Sequence, residues 1–410
     1  MRVALNGFFW DQPRTGSGQY LKHLWTALSE TIQPPLSPGQ GTQGLAFSLL
    51  LPPTSRPDEA VPISPGFSPG FSAHRARPLP LGPLSGKSKN LDKLLWEEWG
   101  VRREARRQRA QLLHSPYLTA PLYSRRVPCV VTAHDMIPWV VPGYEGSPLV
   151  RIYLRLALMG VMRAKLIIAD SDASRRDVIK VLRVPPRKVR TVYLGVEPHP
   201  EYTQWELDEL RTRFELPAVY AFYLGGFDRR KNVPLLLRAW RAAIDRVRGN
   251  EGGEVPMLAI GGAVPKPGGV FPDIMSEAKS HGFEGEDSPV RFLGRISEED
   301  KPRLMAAARL FVYPSAYEGF GLDPLEAMSV GCPLVSSSGG SLREVVGDAG
   351  LLVPPDDEAA LAEAIVRAWT GPQLRRELSE RGKQQASQFT WHRTARQTLS
   401  IYEEVMRTRN

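Results

Sequence analysis

Two carboxylates, Glu318 and Glu326, flank a turn that contains Gly319, Phe320, Gly321 and Leu322, and the segment before it, Leu310-Phe-Val-Tyr-Pro-Ser, reads as the end of a buried strand. Glu318 is therefore expected just beyond a strand's carboxyl end, where open α/β sheets bind their ligands. Gly319 and Gly321 let the backbone approach a ligand. The first amides of a helix opening near Pro324 have no intrahelical partner, so an anion such as a diphosphate suits the spot. A purely structural reading is also open. Asp323 as N-cap, Pro324 at the first helical position and Glu326 reaching back as a capping-box partner would account for the same residues without a ligand. Capping leaves Glu318 unexplained.

Cations occur at a comparable place. Leu224-Gly225-Gly226-Phe-Asp-Arg-Arg230-Lys231-Asn leaves a strand and enters a helix whose apolar positions include Val233, Leu236, Leu237 and Trp240. Arg230 and Lys231 could neutralise a diphosphate as its bond to a sugar breaks; the plain alternative is two solvated side chains on a turn. In the first half, Val130-Val-Thr-Ala-His134-Asp135 ends another strand. His134 could hydrogen-bond a sugar hydroxyl or phosphate oxygen with Asp135 orienting it, and it is equally compatible with a satisfied structural histidine. His114 reads as structural. Gly16 and Gly18, in Arg14-Thr-Gly-Ser-Gly-Gln-Tyr, could bring amides near a phosphate, but their spacing matches neither a dinucleotide fingerprint nor a P-loop. Gly339-Gly-Ser-Leu-Arg-Glu344 has the form of a capping box from Ser341 to Glu344.

These residues need a scaffold. At 410 residues the chain exceeds the size at which single cores stop growing, so two domains are expected. Short apolar runs alternate with helix-like segments: Val3, Phe47, Val130, Leu166 and Val189 begin or mark them in the first half, Ala221, Met257, Val290, Leu310 and Pro333 in the second. That alternation implies an α/β fold of two doubly wound parallel-sheet domains. The boundary falls in the proline-bearing segment after Gly195, giving an N-terminal domain over 1–196 and a second over 197–388, with a helix over 389–410 that Thr390 caps. Residues 33–90 are dense in Pro, Gly and Ser around one strand candidate at Phe47 and include the tandem Ser64-Pro-Gly-Phe-Ser-Pro-Gly-Phe-Ser. They read as a lid or as a disordered loop.

Charge divides unevenly. Residues 1–195 carry 27 Lys+Arg against 13 Asp+Glu, a surplus of 14, and residues 196–410 carry 26 against 31, a deficit of 5, which together give the net +9. The run Arg102, Arg103, Arg106, Arg107, Arg109, Arg125 and Arg126 could attract an anionic membrane surface or a phosphate-bearing acceptor; a solvated helix face is the plain reading. No nucleic-acid module accompanies the charge, so no nucleic-acid partner is expected. Cys129 and Cys332 suggest neither a disulfide framework nor a zinc site. The absence of a long apolar run and the strand-like start point to a cytoplasmic protein, with peripheral association at the inner face of the membrane as a further expectation.

Taken together the motifs resemble those of the retaining GT-B glycosyltransferases of family four, with mannosyltransferase-like features. The resemblance rests on Lys231-Asn after a glycine turn, Gly294 after a strand, Pro314-Ser-x-x-Glu-Gly-Phe-Gly-Leu through Leu325-Glu-Ala-Met, Gly331-x-Pro, Glu344-Val-Val-Gly-Asp-Ala-Gly, Thr132-x-His-Asp and Ala169-Asp-Ser-x-x-Ser-Arg. Seven residues separate Glu318 from Glu326, as in that family's two-glutamate motif. The resemblance implies two Rossmann-like domains facing across a cleft, with the last helix crossing back to the first domain. It also implies that Glu318 holds donor-sugar hydroxyls, Glu326 the ribose of the nucleotide, Arg230 and Lys231 its diphosphate, and that His134 sits at the reacting sugar. Gly226 stands where many members carry an arginine, which puts more of the phosphate neutralisation on Arg230 and Lys231.

The expected activity is transfer of a sugar from a nucleotide diphosphate sugar, GDP-mannose or a UDP-sugar, to a glycan, lipid-linked or small-molecule acceptor, with retention and with neither metal nor cofactor. No Asp-x-Asp cluster is placed to bridge a diphosphate to a metal; Asp170-Ser-Asp172 reads as an N-cap region. Asp135 is the acceptor-side candidate. A GT-B sugar-nucleotide epimerase and a non-catalytic sugar-nucleotide-binding subunit are the rival readings.

Overall fold

The computed structural model describes residues 1–13, 15–32, 45–55, 70–77, 89–123, 126–249 and 256–408. Most of the 33–90 segment expected to be a lid or disordered, including the start of its tandem repeat, lies outside these residues, as do Arg14 and Arg125. The chain folds as two compact units. One comprises Met1–Val140, Glu145–Gly195 and Thr390–Asn410, the other Val141–Tyr144 and Val196–Phe389. Val141–Tyr144 thus belongs with the second unit although it lies well before residue 197.

Each unit is built on one parallel sheet. The first contains β1 (Arg2–Asn6), β2 (Ala46–Leu51), β3 (Phe71–Arg75), β4 (Leu112–Ser115), β5 (Cys129–Ala133), β6 (Leu166–Ala169) and β7 (Val189–Thr191) in the spatial order β3-β2-β1-β4-β5-β6-β7. The second contains β8 (Ala221–Leu224), β9 (Leu258–Gly261), β10 (Val290–Gly294), β11 (Leu310–Tyr313), β12 (Leu334–Ser337) and β13 (Leu351–Val353) in the order β10-β9-β8-β11-β12-β13. In both, the order reverses beside the unit's first strand, between β1 and β4 and between β8 and β11. Such a reversal opens a crevice at the strands' carboxyl ends where ligands bind. The expected pair of Rossmann-like parallel sheets is met.

The central strands read as continuous apolar runs because both of their faces are covered; β11 is Leu-Phe-Val-Tyr and every residue is buried. The helix Val233–Gly249 has Val233, Leu236, Leu237, Trp240 and Ile244 fully buried, the spacing of one helical stripe, and packs along the helix Glu358–Thr370. Trp240 meets Trp369 of the helix Glu358–Thr370 edge to face at 6.1 Å.

Three strands depart from the sequence reading. β3 is a second strand inside the Pro/Gly-rich segment; it forms the sheet edge and is only partly buried, so it needs no apolar run. β4 is fully buried but includes His114 and Ser115, which break its hydrophobic signal. His114 is satisfied by the Tyr402 hydroxyl at 2.6 Å and Thr132 Oγ1 at 2.9 Å, a structural role. β13 is a three-residue edge strand.

The helix Trp391–Arg407, capped by Thr390 accepting from Arg393 N, lies in the first unit and packs along the helix Gly16–Thr31. Thr394 Oγ1 donates to Tyr193 O at 2.7 Å, and Tyr402 is fully buried. No helix among the described residues is long and apolar enough to cross a membrane.

Candidate functional site

The turns that follow β8 and β11 meet at the reversal point of the second sheet. The first presents Arg230 and Lys231 on a single helical turn, Arg229–Lys231, that Asn232 ends in the left-handed conformation. The second presents Glu318. Ala316 N donates to Arg230 O at 2.7 Å, which fixes the two turns to each other.

The side chains converge on one carboxylate. Glu318 is 8% exposed. Its Oε1 accepts from Lys231 Nζ at 2.7 Å, Tyr313 Oη at 2.9 Å and Ser315 Oγ at 2.6 Å, while Oε2 pairs with Arg230 Nη1 at 2.7 Å. Lys231 also donates to the Tyr313 hydroxyl. Burial opposes charge on Glu318, but the Lys231 and Arg230 cations outweigh it and hold the carboxyl down at about 2. The arrangement is a fixed anion between two fixed cations, able to bind hydroxyls and phosphate oxygens side by side.

Arg230 is steadied from its other side. Its Nε lies 3.4 Å from Asp228 Oδ1, its backbone N donates to the Tyr144 hydroxyl at 3.0 Å, and Tyr144 donates to Asp228. Sequence reading missed Tyr144 and Asp228; the only sequence-level signal is that Asp228 sits within the basic turn.

Gly319, Phe320, Gly321 and Leu322 connect Glu318 to the helix Leu322–Ser329. Phe320 is buried against Phe389 at 5.9 Å, so its side chain serves packing and only its backbone is available to a ligand. The capping reading needs correction: the N-cap is Gly321, at φ +102°, with no side-chain cap bond, and Asp323 already lies inside the first turn. A left-handed residue starts the helix two positions earlier than expected. Asp323 instead accepts from the Tyr313 hydroxyl at 3.2 Å.

Glu326 does not reach back to cap either. It pairs with Lys301, whose ammonium also lies 3.4 Å from Asp323 Oδ1. One ammonium thus serves two carboxylates; burial disfavours the charge of Lys301, but Glu326 and Asp323 prevail and shift it upward. Burial and the neighbouring Asp323 in turn push the Glu326 carboxyl up against the pull of Lys301.

Ser341 departs from the capping-box expectation as well. At the start of the helix Leu342–Val346 it makes no side-chain cap bond; its hydroxyl donates to Phe320 O at 2.6 Å and Glu318 O at 3.0 Å. Gly340 beside it, at φ +62°, lies so close to the turn that a Cβ would overlap Glu318 O and come within 2.7 Å of Glu318 N. The Gly339-Gly340-Ser341 segment therefore clamps the Glu318 turn from outside. Gly225 and Gly226 form the exit from β8, with Gly226 O accepting from Tyr223 Oη at 2.6 Å.

The remaining candidates, His134, Asp135, Gly16 and Gly18, belong to the first unit. His134 Nδ1 lies 2.7 Å from Asp170 Oδ2 and Nε2 lies 3.0 Å from Pro116 O. Neither an ionised Asp170 nor the Pro116 carbonyl can donate, so this geometry favours the imidazolium, in which both ring nitrogens are donors. Burial opposes that charge, but Asp170, with Asp135 and the Pro116 carbonyl, raises the net affinity for the proton. The orienting carboxylate is thus Asp170 rather than Asp135, whose Oδ1 accepts from Ile137 N at 3.0 Å. β5 and β6 are adjacent, with Ala133 opposite Ala169, and this register brings His134 and Asp170 together. Ser171, as the reading of that segment anticipates, is the N-cap of the helix Asp172–Leu182. Gly18 does not offer its amide: Thr15 Oγ1 accepts from it at 3.1 Å as the N-cap of the helix Gly16–Thr31.

Comparison with known proteins bears on this geometry. Residues 218–370 match the family described as Glycosyl transferases group 1, and residues 41–199 match Glycosyltransferase Family 4. The chain is 33% identical over 294 residues to the O-antigen chain mannosyltransferase B of Escherichia coli, covering 71% of this chain and 74% of that protein. It is 27% identical over 301 residues to the serotype-specific mannosyltransferase WbdA of Escherichia coli, covering 72% of this chain but only 36% of WbdA. The structure of Anabaena HepE in complex with UDP and glucose superposes over 98% of this chain and 100% of that one with a TM-score of 0.68 at 17% identity, a likeness of fold.

Proposed function

Because the chain belongs to the family-four glycosyltransferases, we propose that this glycosyltransferase moves a mannosyl residue from GDP-mannose, or failing that a glycosyl residue from a UDP-sugar, to a glycan, lipid-linked or small-molecule acceptor with retention of configuration. The observation that carries the reading is the Glu318 cluster at the reversal point of the second sheet, a carboxylate gripped by Lys231 and Arg230 at 2.7 Å each. Named mannosyltransferases among the relatives support mannose as the sugar; the UDP-bound neighbour keeps uridine open as the base.

In the proposed reaction an acceptor hydroxyl attacks the anomeric carbon on the face from which the nucleotide diphosphate departs. The carbon–oxygen bond to the diphosphate breaks, its electron pair stays with the phosphate oxygen, and that oxygen takes the acceptor's proton. Arg230 and Lys231 neutralise the charge that grows on the leaving diphosphate, in a site prepared before the reaction begins. Glu318 accepts hydrogen bonds from donor-sugar hydroxyls, its low pKa keeping it ionised. Glu326 accepts from the ribose hydroxyls. His134, held by Asp170, is the residue that the family resemblance assigns to the reacting sugar, and Asp135 is the one proposed for the acceptor. With two cations in place the proposal needs no metal and no cofactor, and no glycosyl adduct forms on Glu318.

The test is a screen of the purified protein against GDP- and UDP-sugars by thermal shift, followed by mass spectrometry of acceptor reactions with and without a chelator, and by NMR of the product's anomeric centre. Chelator-insensitive transfer with retention is expected. A new epimer of the donor without transfer to any acceptor, an inverted product, or a trapped adduct on Glu318 would each overturn the corresponding part.

A further inference from the structure

The first unit carries a helix whose composition suits neither a core nor ordinary solvent. Pro148–Arg163 starts at Ser147, whose side chain accepts from Val150 N, and buries only Ala157, Gly160 and Val161. Leu149 is 79% exposed, Ile152 55%, Met159 45% and Met162 46%. Ile152, Arg155, Met159 and Arg163 recur at the spacing of a single helical face, with Arg151 and Met162 beside them. Half of the large apolar side chains that the described residues leave exposed lie on this one helix, and such clustering marks an interaction surface rather than scatter.

Charge decides what covers it. Between Glu145 and Asp170 the chain carries Arg151, Arg155, Arg163 and Lys165 and no acidic residue. A second copy of this chain on the same face would set these cations against each other. An anionic bilayer satisfies both halves of the pattern, with apolar side chains entering the acyl boundary and guanidinium groups meeting lipid phosphates. At the helix's carboxyl end a cavity of about 390 Å³ is lined by Gly160, Arg163, Lys165 and Tyr123 among others. The Arg163 guanidinium stands over the Tyr123 ring at 5.9 Å, and Tyr123 itself is 62% exposed. Two cations at the mouth of a cavity beside an exposed apolar face give a lipid phosphate a seat at the depth of the headgroups.

We propose that the helix Pro148–Arg163 docks this protein on an anionic phospholipid surface, with the Arg163–Lys165 cavity receiving a lipid phosphate. The assignment differs from the one that the Arg102 to Arg126 run suggests, because among the described residues the exposed aliphatic side chains gather on the helix Pro148–Arg163. It does not depend on the donor or on the reaction, so its failure leaves the proposed activity standing.

The experiment is co-sedimentation of the full chain with vesicles of equal parts phosphatidylglycerol and phosphatidylcholine, and with vesicles of phosphatidylcholine alone. Binding to the anionic vesicles that weakens as sodium chloride is raised is expected, with little to the neutral ones. Leu149→Ser/Ile152→Ser/Met159→Ser and, separately, Arg155→Glu/Arg163→Glu should each reduce that binding roughly tenfold or more, with melting curves showing that each variant is folded. No vesicle binding by the unmodified chain, equal binding to both vesicle types, or unaltered binding by both variants would overturn the proposal. So would a concentration-dependent dimer, seen by sedimentation velocity, that the serine substitutions abolish.

Discussion

Lys231 Nζ lies 2.7 Å from Glu318 Oε1, so the cation proposed for the leaving diphosphate and the carboxylate proposed for the sugar already hold each other. Arg230 completes the grip from the other oxygen. Removing Glu318 takes from the Lys231 ammonium its only carboxylate among the described residues, and removing Lys231 leaves the buried Glu318 carboxylate to Arg230 alone, so each substitution acts on geometry as well as on chemistry. Glu318→Ala and Lys231→Ala should each lower turnover by about a hundredfold or more while the protein stays folded. Initial rates with the donor identified by the screen provide the measurement; near-normal rates in both variants would reject the site.

The same pairing predicts strong non-additivity in stability. Glu318→Gln, which leaves the buried Lys231 without its carboxylate, should cost on the order of 3 kcal/mol, and Lys231→Met, which leaves Glu318 still paired with Arg230, should cost less. The double variant should cost clearly less than the sum of the two, by roughly 1–3 kcal/mol. Chemical denaturation of the four proteins closes the cycle, and additive costs would mean that the two groups are independent.

Two groups set opposite limits on pH. Glu318 titrates at about 2 in the folded chain instead of 4.5, so its contribution is present above pH 4.5 and is lost as pH falls toward 2. Glu318→Gln should therefore show a flatter acid limb over that window. His134 is raised above 6.5, so its contribution is fully present below pH 6.5 and disappears as pH climbs through the higher folded value. Asp170→Asn should cost more stability below pH 6.5 than in alkali, and a cost independent of pH would exclude a charged His134.

Lys301 gives a test that separates binding from chemistry. It pairs with Glu326 and Asp323 and touches no group proposed to meet the reacting bond. Lys301→Met leaves two carboxylates facing each other, which should raise KM for the donor by about tenfold with a smaller change in kcat, the signature of lost ground-state binding. A loss confined to kcat would place Lys301 elsewhere in the mechanism.

Gly340 tests the clamp on the Glu318 turn. At φ +62°, with a Cβ that would overlap the Glu318 carbonyl, Gly340→Ala should destabilise by at least about 1–3 kcal/mol and depress activity beyond that loss. Gly143 is the control: it is also at positive φ, +88°, but with open space around it, so Gly143→Ala should bear the backbone term alone. Equal effects at both positions would show that the Glu318 contact is unimportant.

The residues that the sequence reveals are those whose meaning is local. Glu318, Arg230 and Lys231 follow apolar strands and glycine turns, so topology alone puts them at one sheet end. Tyr313 and Ser315 were visible as a strand end, but their aim at the carboxylate depends on the pleat. Asp170 reaches His134 across 36 residues through the register of β5 and β6, and Tyr144 reaches Asp228 across 84; no spacing rule carries such pairs. The capping expectations at Asp323 and Ser341 failed for a shared reason. In each the side chain that fits a cap motif meets a tertiary partner instead, the Tyr313 hydroxyl for Asp323 and the Phe320 carbonyl for Ser341. β4 stayed hidden because His114 is buried for the sake of Tyr402, almost 300 residues later in the chain.

That last contact has a consequence for how the molecule is made. His114 and Thr132 in the first sheet need Tyr402, and Tyr193 accepts from Thr394, so the unit containing the earliest-translated strands is not complete until residue 407 has left the ribosome. The later-translated unit, continuous from Val196 to Phe389 apart from the short Val141–Tyr144 piece, has nearly all of its chain before then. During synthesis the nascent first sheet must wait with its helix Gly16–Thr31 uncovered, and a ribosome stalled anywhere between the two would present that bare face to chaperones and proteases.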